Sequence, residues 1–212
     1  LIGGTFASHR KVPLASLRQL PAGCSAEDGA SWFVNPMTAL SFVEAMRAEK
    51  HTAIVHTAAA SNLGQMLVKI CAADGVPLVN IVRRAAQVEQ LRALGAEHVL
   101  DSSSPNFRTE LVEAIAATKA TLAFDAIGGG TLGAQILTAM ERVAVRSMKT
   151  FSHYGSSTLK QLYIYGGLDR SPTQLPRTFG LTWSVGGYLV MNALRKLGVD
   201  VMGRMSTRVM SE

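Results

Sequence analysis

Cysteine is scarce: Cys24 and Cys71 are the only two in 212 residues. No disulfide framework can stand in for a hydrophobic core, and two unpaired thiols suit a reducing, cytoplasmic setting. Metal ligands are equally thin. The five histidines, His9, His51, His56, His98 and His153, form no ligand-spaced cluster with each other or with the cysteines, so no zinc is expected in this chain. No apolar run reaches the roughly 18 residues of a membrane span, and no charged-then-apolar leader pattern occurs. A membrane partner is therefore not expected. Serine-nucleophile chemistry lacks its G-x-S-x-G elbow. Gly128-Gly129-Gly130 lacks the Lys-Ser/Thr that would make it a phosphate loop, and Ser102-Ser103-Ser104 before Pro105 reads as a turn and helix start. The formal charge is +6, but the basic residues are scattered and aromatics are only 6% of the chain. Without a basic stripe interleaved with aromatics, a nucleic-acid partner is not expected.

What is present is a globular composition, 48% hydrophobic and 17% charged, long enough for one good-sized core. Residues 1–34 contain Pro13, Pro21, Gly23 and Gly29, show little periodicity, and read as a lead-in with one short strand. The chain opens Leu-Ile-Gly-Gly, without Met, and reads as part of something longer. Asn35-Pro36 starts a helix that continues over 37–48, with Pro36 at its first position. Strands and helices then alternate. Strands are expected at 53–57, 78–82, 98–100, 121–126 and 161–165, and helices at 62–73, 86–94, 107–117 and 132–143. This alternation predicts an α/β fold, a Rossmann-like doubly wound parallel sheet with helices on both faces. Beyond Leu168 the pattern weakens, with one strand over 178–185 and one helix over 188–197. Residues 202–212 show no closing element. The domain reading is a lead-in at 1–34, a dinucleotide-binding domain at 35–200, and the start of a further segment at 201–212.

The densest stretch is 51–84. An apolar run, Ala53–Val55, meets a small-residue turn, Ala58-Ala59-Ala60-Ser61-Asn62-Leu63-Gly64, then a helix and a second apolar run. In a β-turn-α-β unit of this kind a dinucleotide pyrophosphate needs close backbone approach and sits at the helix N-terminus. The three fingerprint glycine positions fall on Ala59, Ser61 and Gly64. The Ser61 hydroxyl can donate to a phosphate oxygen. About 20 residues beyond the turn, where a carboxylate would accept from a ribose 2′-hydroxyl, stand Arg83 and Arg84. Guanidinium there suits a 2′-phosphate, so the cofactor expected is NADP(H). Asp125, Ile127 and Gly128 at the end of the fourth strand, and Tyr165 and Gly166 at the end of the fifth, also fall where ligands bind in open α/β sheets. For Asp125, loop closure is an equal alternative.

Several motifs resemble one family. Asn35-Pro36-Met37-Thr38-Ala39 matches its N-P-x-T-A. Ser61-Asn62-Leu63-Gly64-Gln65 matches its small-residue turn, and Leu91 to Val99 its L-x-x-L-G-A-x-x-V. Asp125-Ala126-Ile127-Gly128-Gly129 and Tyr165-Gly166-Gly167 match its fourth and fifth strand ends. The chain resembles the coenzyme-binding part of a medium-chain dehydrogenase/reductase over about residues 15–200, nearest the zinc-independent quinone reductases and enoyl-thioester reductases. The resemblance implies that Asn35 and Thr38 line the nicotinamide side, Ser61, Asn62 and Leu63 the pyrophosphate, and Arg83 and Arg84 the 2′-phosphate; Gly64, the last fingerprint position, is a further cofactor-binding candidate. Ile127, Gly128, Tyr165 and Gly166 would flank ribose and nicotinamide. It implies catalytic residues in a lobe upstream of Leu1, and hydride transfer to a small-molecule carbonyl or quinone, whether a quinone, an enone or an enoyl thioester. It also implies a homodimer joined through the last strand. Two other readings remain: a dinucleotide-binding module without turnover, and a zinc alcohol dehydrogenase whose ligands lie in that other lobe. The stretch 141–160 is longer than the family's and carries no chemistry of its own.

Overall fold

A computed structural model describes residues 7–14, 17, 19–20 and 22–211. The lead-in shows no strand among its described residues. It contributes α1 (Ala26–Ser31), and residues 1–6, 15, 16, 18 and 21 lie outside the description. Helix α2 (Val34–Ala48) follows. It starts two residues before Pro36, whose missing N–H falls among the first-turn amides that have no helical partner in any case.

The alternation then runs as the sequence predicts. The order is β1 (Ile54–Thr57), α3 (Asn62–Asp74), β2 (Leu78–Val82), α4 (Ala85–Ala93), β3 (His98–Asp101), α5 (Phe107–Thr118) and β4 (Leu122–Asp125). After β4 the chain forms a short strand, β5 (Gly128–Gly130), then α6 (Leu132–Arg146), β6 (Lys160–Ile164), β7 (Asp169–Thr173), β8 (Trp183–Gly187), α7 (Val190–Leu197) and α8 (Val199–Ser211). The main sheet has six parallel strands in the order β3-β2-β1-β4-β6-β8. The chain winds outward through β1, β2 and β3, returns to the centre at β4, and winds the other way. That reversal between β1 and β4 leaves a crevice at the carboxyl ends of the strands. A separate two-stranded sheet pairs β5 with β7 above this edge.

The central strands are buried on both faces and read as continuous apolar runs, as a covered parallel sheet requires. On one face Ile54, Leu78, Val82, Leu122 and Phe124 pack under α2, α3 and α4. On the other, Val55, Val79, Ile81, Ala123 and Leu162 pack under α5 and α6. Phe42 of α2 stacks on Phe124 with centroids 3.9 Å apart and pins that helix to the sheet.

Toward the end of the chain three further expectations change. The strand expected over 178–185 begins only at Trp183, because Gly180 turns left-handed (φ 66) while Phe179 is drawn into the core. The helix expected from Tyr188 starts at Val190, and the Tyr188 hydroxyl instead donates to Ser41 Oγ at 2.9 Å. The terminal stretch with no expected element is α8. Its Met202, Met205 and Val209 repeat at helical spacing and pack with Met37 and Leu40 of α2.

The long stretch before β6 is tied down by a buried ionic cluster. Lys160, fully enclosed, donates to Glu141 Oε2 and to Ser156 Oγ (3.0 Å). The Ser156 amide and hydroxyl donate to the same carboxylate at 2.7 and 2.5 Å. A Cβ on Gly155 (φ 82) would overlap this carboxylate, and one on Gly180 would come within 2.7 Å of it, so both turns close only with glycine. Burial alone would raise the Glu141 carboxyl, but bonds from Lys160 and from the hydroxyl and amide of Ser156 hold it below its ordinary value. The folded state therefore gains stability from this ionised carboxylate above the ordinary glutamate value of 4.5 and loses it as pH falls through the depressed value. Glu141→Gln, which leaves the Lys160 ammonium buried without its counter-charge, should cost about 3–5 kcal/mol in urea unfolding near neutral pH. The difference from wild type should shrink in acid below about pH 4.5. A pH-independent difference would show that the carboxylate's charge is not what is lost.

Candidate functional site

The turn after β1 sets the geometry. Ala59 is fully buried and its amide donates to Ile81 O at 3.1 Å, while Ser61 N closes onto Ala58 O at 3.0 Å. The residue that adopts the left-handed backbone is Ala58 (φ 49), one position before the first expected glycine site. Gly64 is the fingerprint glycine that matters sterically. A Cβ there would overlap the Ala59 carbonyl and lie 2.8 Å from Ala59 Cα. Helix α3 can therefore start directly against the backbone of the turn.

Ser61 caps that helix. Its Oγ accepts from Gly64 N at 3.2 Å and its carbonyl accepts from Gln65 N at 2.9 Å. The hydroxyl oxygen thus serves the helix, and its hydrogen is free to donate outward. The amides of Asn62 and Leu63 have no acceptor among the described residues and point along the axis at the helix's positive end.

Around this turn lies a crevice of about 630 Å³ at the carboxyl edge of the sheet. Its walls include Ser61, Arg83, Arg84 and Ile127, four of the residues singled out in the sequence. Asn62, Leu63 and Gly64 form the helix start beside it. Arg83 and Arg84 leave β2 with exposed side chains, and Gln87 Oε1 accepts from Arg83 N at 3.2 Å, fixing the bend. Sequence reasoning missed Gln87, Ser102, Leu168 and Asp169, which also line the crevice. Ser102 reaches it because β3 is the neighbour of β2; its amide donates to Val82 O at 2.8 Å. Asp169 stands opposite the arginines, on β7. Ser171 N donates to its Oδ1 at 2.8 Å, and this bond holds the carboxyl below its usual range. The crevice is polarised: two guanidinium groups at the β2 side and one carboxylate beyond β4.

Other expected residues lie on the same edge but outside this crevice. Asp125 is buried, and its carboxylate is engaged within the protein. Its Oδ1 accepts from Thr57 Oγ1 (2.6 Å) and Ile127 N (2.9 Å), its Oδ2 from Gly128 N (3.1 Å), and Thr57 Oγ1 accepts from Ala126 N (2.8 Å). Of the two readings left open in the sequence, loop closure is the one its contacts support. Gly128 (φ 80) and Gly166 pack backbone to backbone: a Cβ on Gly128 would come within 2.8 Å of Gly166 O, and one on Gly166 within 2.5 Å of Ala126 O. Their missing side chains admit each other. Asn35 sits in the first turn of α2 and Thr38 one turn after its start; Thr38 is buried and its hydroxyl donates to Val34 O at 2.6 Å. Tyr165, half-buried, shares a 2.7 Å hydrogen bond with His56 Nε2. Burial lowers His56 to about 3, so the ring that shares this bond with the phenol is neutral.

Among the described residues no group of three or more His, Cys, Asp or Glu is placed to hold a metal ion, and no helix is long and apolar enough to cross a membrane.

Known proteins carry the same architecture. No family model matches the chain. It is 25% identical over 181 residues to the mitochondrial enoyl-[acyl-carrier-protein] reductase of Xenopus tropicalis, covering 82% of this chain and 46% of that protein. Among solved structures, one described as an NADPH:quinone reductase from Mesorhizobium loti superposes with a TM-score of 0.74 at 26% identity, over 90% of this chain and 51% of that one. The mitochondrial 2-enoyl thioester reductase Etr1p/Etr2p heterodimer from Candida tropicalis superposes at 0.63 with 20% identity, over 90% and 51%. Etr1p is also solved in complex with NADP and crotonyl-CoA. The chain spans about half the length of these proteins. The resemblance to the coenzyme-binding half of medium-chain dehydrogenase/reductases, drawn from the motifs, is supported by both comparisons.

The role of Asp125 can be checked directly. Thr57→Val keeps the side chain's shape but removes the hydroxyl that bridges Asp125 and Ala126 N. It should destabilise the chain by about 1–3 kcal/mol in chemical denaturation, because two buried partners lose a hydrogen bond. A change under about 0.5 kcal/mol would show that the loop does not depend on this bridge.

Proposed function

We propose that this chain is the NADP(H)-binding part of an oxidoreductase of the medium-chain dehydrogenase/reductase type. In the whole protein, hydride would pass from the nicotinamide to a conjugated carbonyl, in a quinone, an enone or an enoyl thioester. The observation that carries this reading is the crevice itself. A helix start with unfilled amides, laid against side-chain-free backbone at Gly64, shares one cleft with two exposed arginines. That fits a diphosphate at the Ser61–Leu63 turn and a 2′-phosphate between Arg83 and Arg84. Ser102 and Gln87 lie within the same wall and offer further polar contacts to the adenosine end. Ile127 forms an apolar wall where the path turns from β1 toward β4.

The bound cofactor supplies the hydride chemistry, and this chain orients it. The Asp125–Thr57 bridge fixes the Ile127 loop. Tyr165, Gly166, Gly128, Asn35 and Thr38 share the continuing carboxyl edge, and we assign them to the nicotinamide half of the path. Proton donation to the substrate is assigned to residues outside this stretch. The names of the relatives and the NADP and crotonyl-CoA bound by Etr1p support the cofactor and substrate class. The two unpaired cysteines support a reducing compartment, cytoplasmic in our reading.

A second copy is the expected partner. Strand β8 is one open edge of the sheet, with its outward N–H and C=O groups free to pair. Etr1p/Etr2p, which shares this architecture, is solved as a heterodimer, and this supports a dimeric assembly. Light scattering of the whole protein should give twice the mass of one chain. A single-chain mass at all concentrations would remove the edge pairing.

The cofactor assignment is tested by titrating NADPH and NADH side by side, following intrinsic fluorescence. Arg83→Ala combined with Arg84→Ala should weaken NADPH by about tenfold or more and leave NADH nearly unchanged, since a hydrogen bond to a charged group is worth about 1.5–3 kcal/mol. Equal losses for both cofactors would overturn the 2′-phosphate assignment.

A further inference from the structure

A second groove lies on the opposite face of the sheet from α2 and α3, along helix α6. One part, of about 340 Å³, runs between α5, α6 and the 176–178 segment, with Arg108, Gln135, Thr138, Arg142 and Thr178 in its walls. It meets at Thr178 a broader part of about 660 Å³, which holds Lys149, Phe151, His153, Tyr154, Arg177 and Leu181. Thr131, Gln135, Thr138, Arg142 and Val145 fall three and four residues apart, so they form one stripe about 21 Å long on α6.

This stripe is basic and apolar together. Arg108, Arg142, Lys149 and Arg177 have no carboxylate within ion-pair distance among the described residues. The acids nearby are engaged: Glu113 pairs with Arg146 at 3.1 Å, and Glu141 is held inward by Lys160. Between these cations stand Phe151 (84% exposed), Tyr154 (72%), Leu181 (67%) and Val145 (45%). Large apolar side chains gathered in this way mark an interaction surface rather than ordinary surface scatter. The two turns that bear Tyr154 and Leu181 are tied to each other by the buried Glu141–Ser156–Lys160 cluster and the Leu181 N to Tyr154 O bond (3.0 Å). Arg177 is presented with φ at 56°, a backbone region that glycine enters freely and arginine does not.

We propose that this groove binds an acidic, extended segment of a partner protein. About six residues of extended chain span the stripe. Carboxylates would lie against Arg108, Arg142 and Arg177, and an aliphatic side chain would seat among Val145, Phe151 and Leu181. The cations are spread along a stripe too long for one small anion. The aliphatic members suit a side chain better than a stacked base. These 212 residues do not themselves carry the complement: their longest run of acids is the pair Glu27-Asp28, and their net charge is +6.

The test is fluorescence anisotropy of a labelled Glu-Glu-Leu repeat peptide with the full-length protein at low salt. Arg142→Glu with Arg177→Glu should weaken binding about tenfold, from lost and reversed charge pairs. Phe151→Ala should weaken it severalfold. Lys69→Glu with Arg92→Glu, the same charge change on exposed sites of α3 and α4, should leave it within about twofold. Unaltered melting temperatures confirm that the variants fold. No binding, equal weakening by the two charge-reversed pairs, displacement by millimolar inorganic phosphate, or tighter binding of an oligothymidylate would each overturn the proposal.

Discussion

The absence of a side chain at Gly64 sets how closely α3 lies against the turn after β1, and the candidate site depends on that distance. A methyl group there would overlap the Ala59 carbonyl, so the helix would have to lift from the strand and carry its amide-lined start away from the crevice. Ser61 completes the arrangement by capping Gly64 while leaving Asn62 and Leu63 to face outward. Concentrated partial positive charge over bare backbone is what an anionic group needs, and here it shares one cleft with two exposed arginines.

Sheet topology turns this local feature into a path. Because β4 returns beside β1, the loop after β4 must run across the crevice mouth, and its conformation is dictated from within the sheet. The Asp125 carboxylate does this by collecting Thr57 Oγ1 and the amides of Ile127 and Gly128. The glycines of this loop and of the loop after β6 then close on one another. The result is a carboxyl edge whose walls come from several strands and whose shape tolerates little change at Gly64, Thr57, Asp125, Gly128 or Gly166. The amino edge is governed by different physics. There a fully enclosed ammonium, a carboxylate and a serine tie α6 to β6 and to the two turns that bear Tyr154 and Leu181.

Elements with a strong local signal were legible in the chain. Strand β2 falls over 78–82 as its apolar run predicts, and α3 and α5 begin at Asn62 and Phe107 as their turns predict. Arg83 and Arg84 could be placed in the same crevice as the turn because a β-turn-α-β unit fixes how far the end of its second strand lies from its first turn. Three things were less legible. The left-handed backbone falls on Ala58, which no residue preference announces. Helix α8 carries a glycine and several methionines, and its periodicity gains meaning only when α2 is there to be packed against. Asp169 and Ser102 join the crevice through strand neighbours far away in sequence, and such contacts leave no trace in local spacing.

The sequence by itself determined the alternation of elements, the parallel sheet, the small-residue turn and the chemical character of the cleft, because each of these follows from short-range periodicity and side-chain chemistry. Tertiary structure alone decided the strand order, the inward rotation of Asp125, the pairing of Gly128 with Gly166, and the burial of Lys160 against Glu141. Each of these joins segments separated along the chain. Each is settled by which backbone groups and charges are left without water once the sheet is covered.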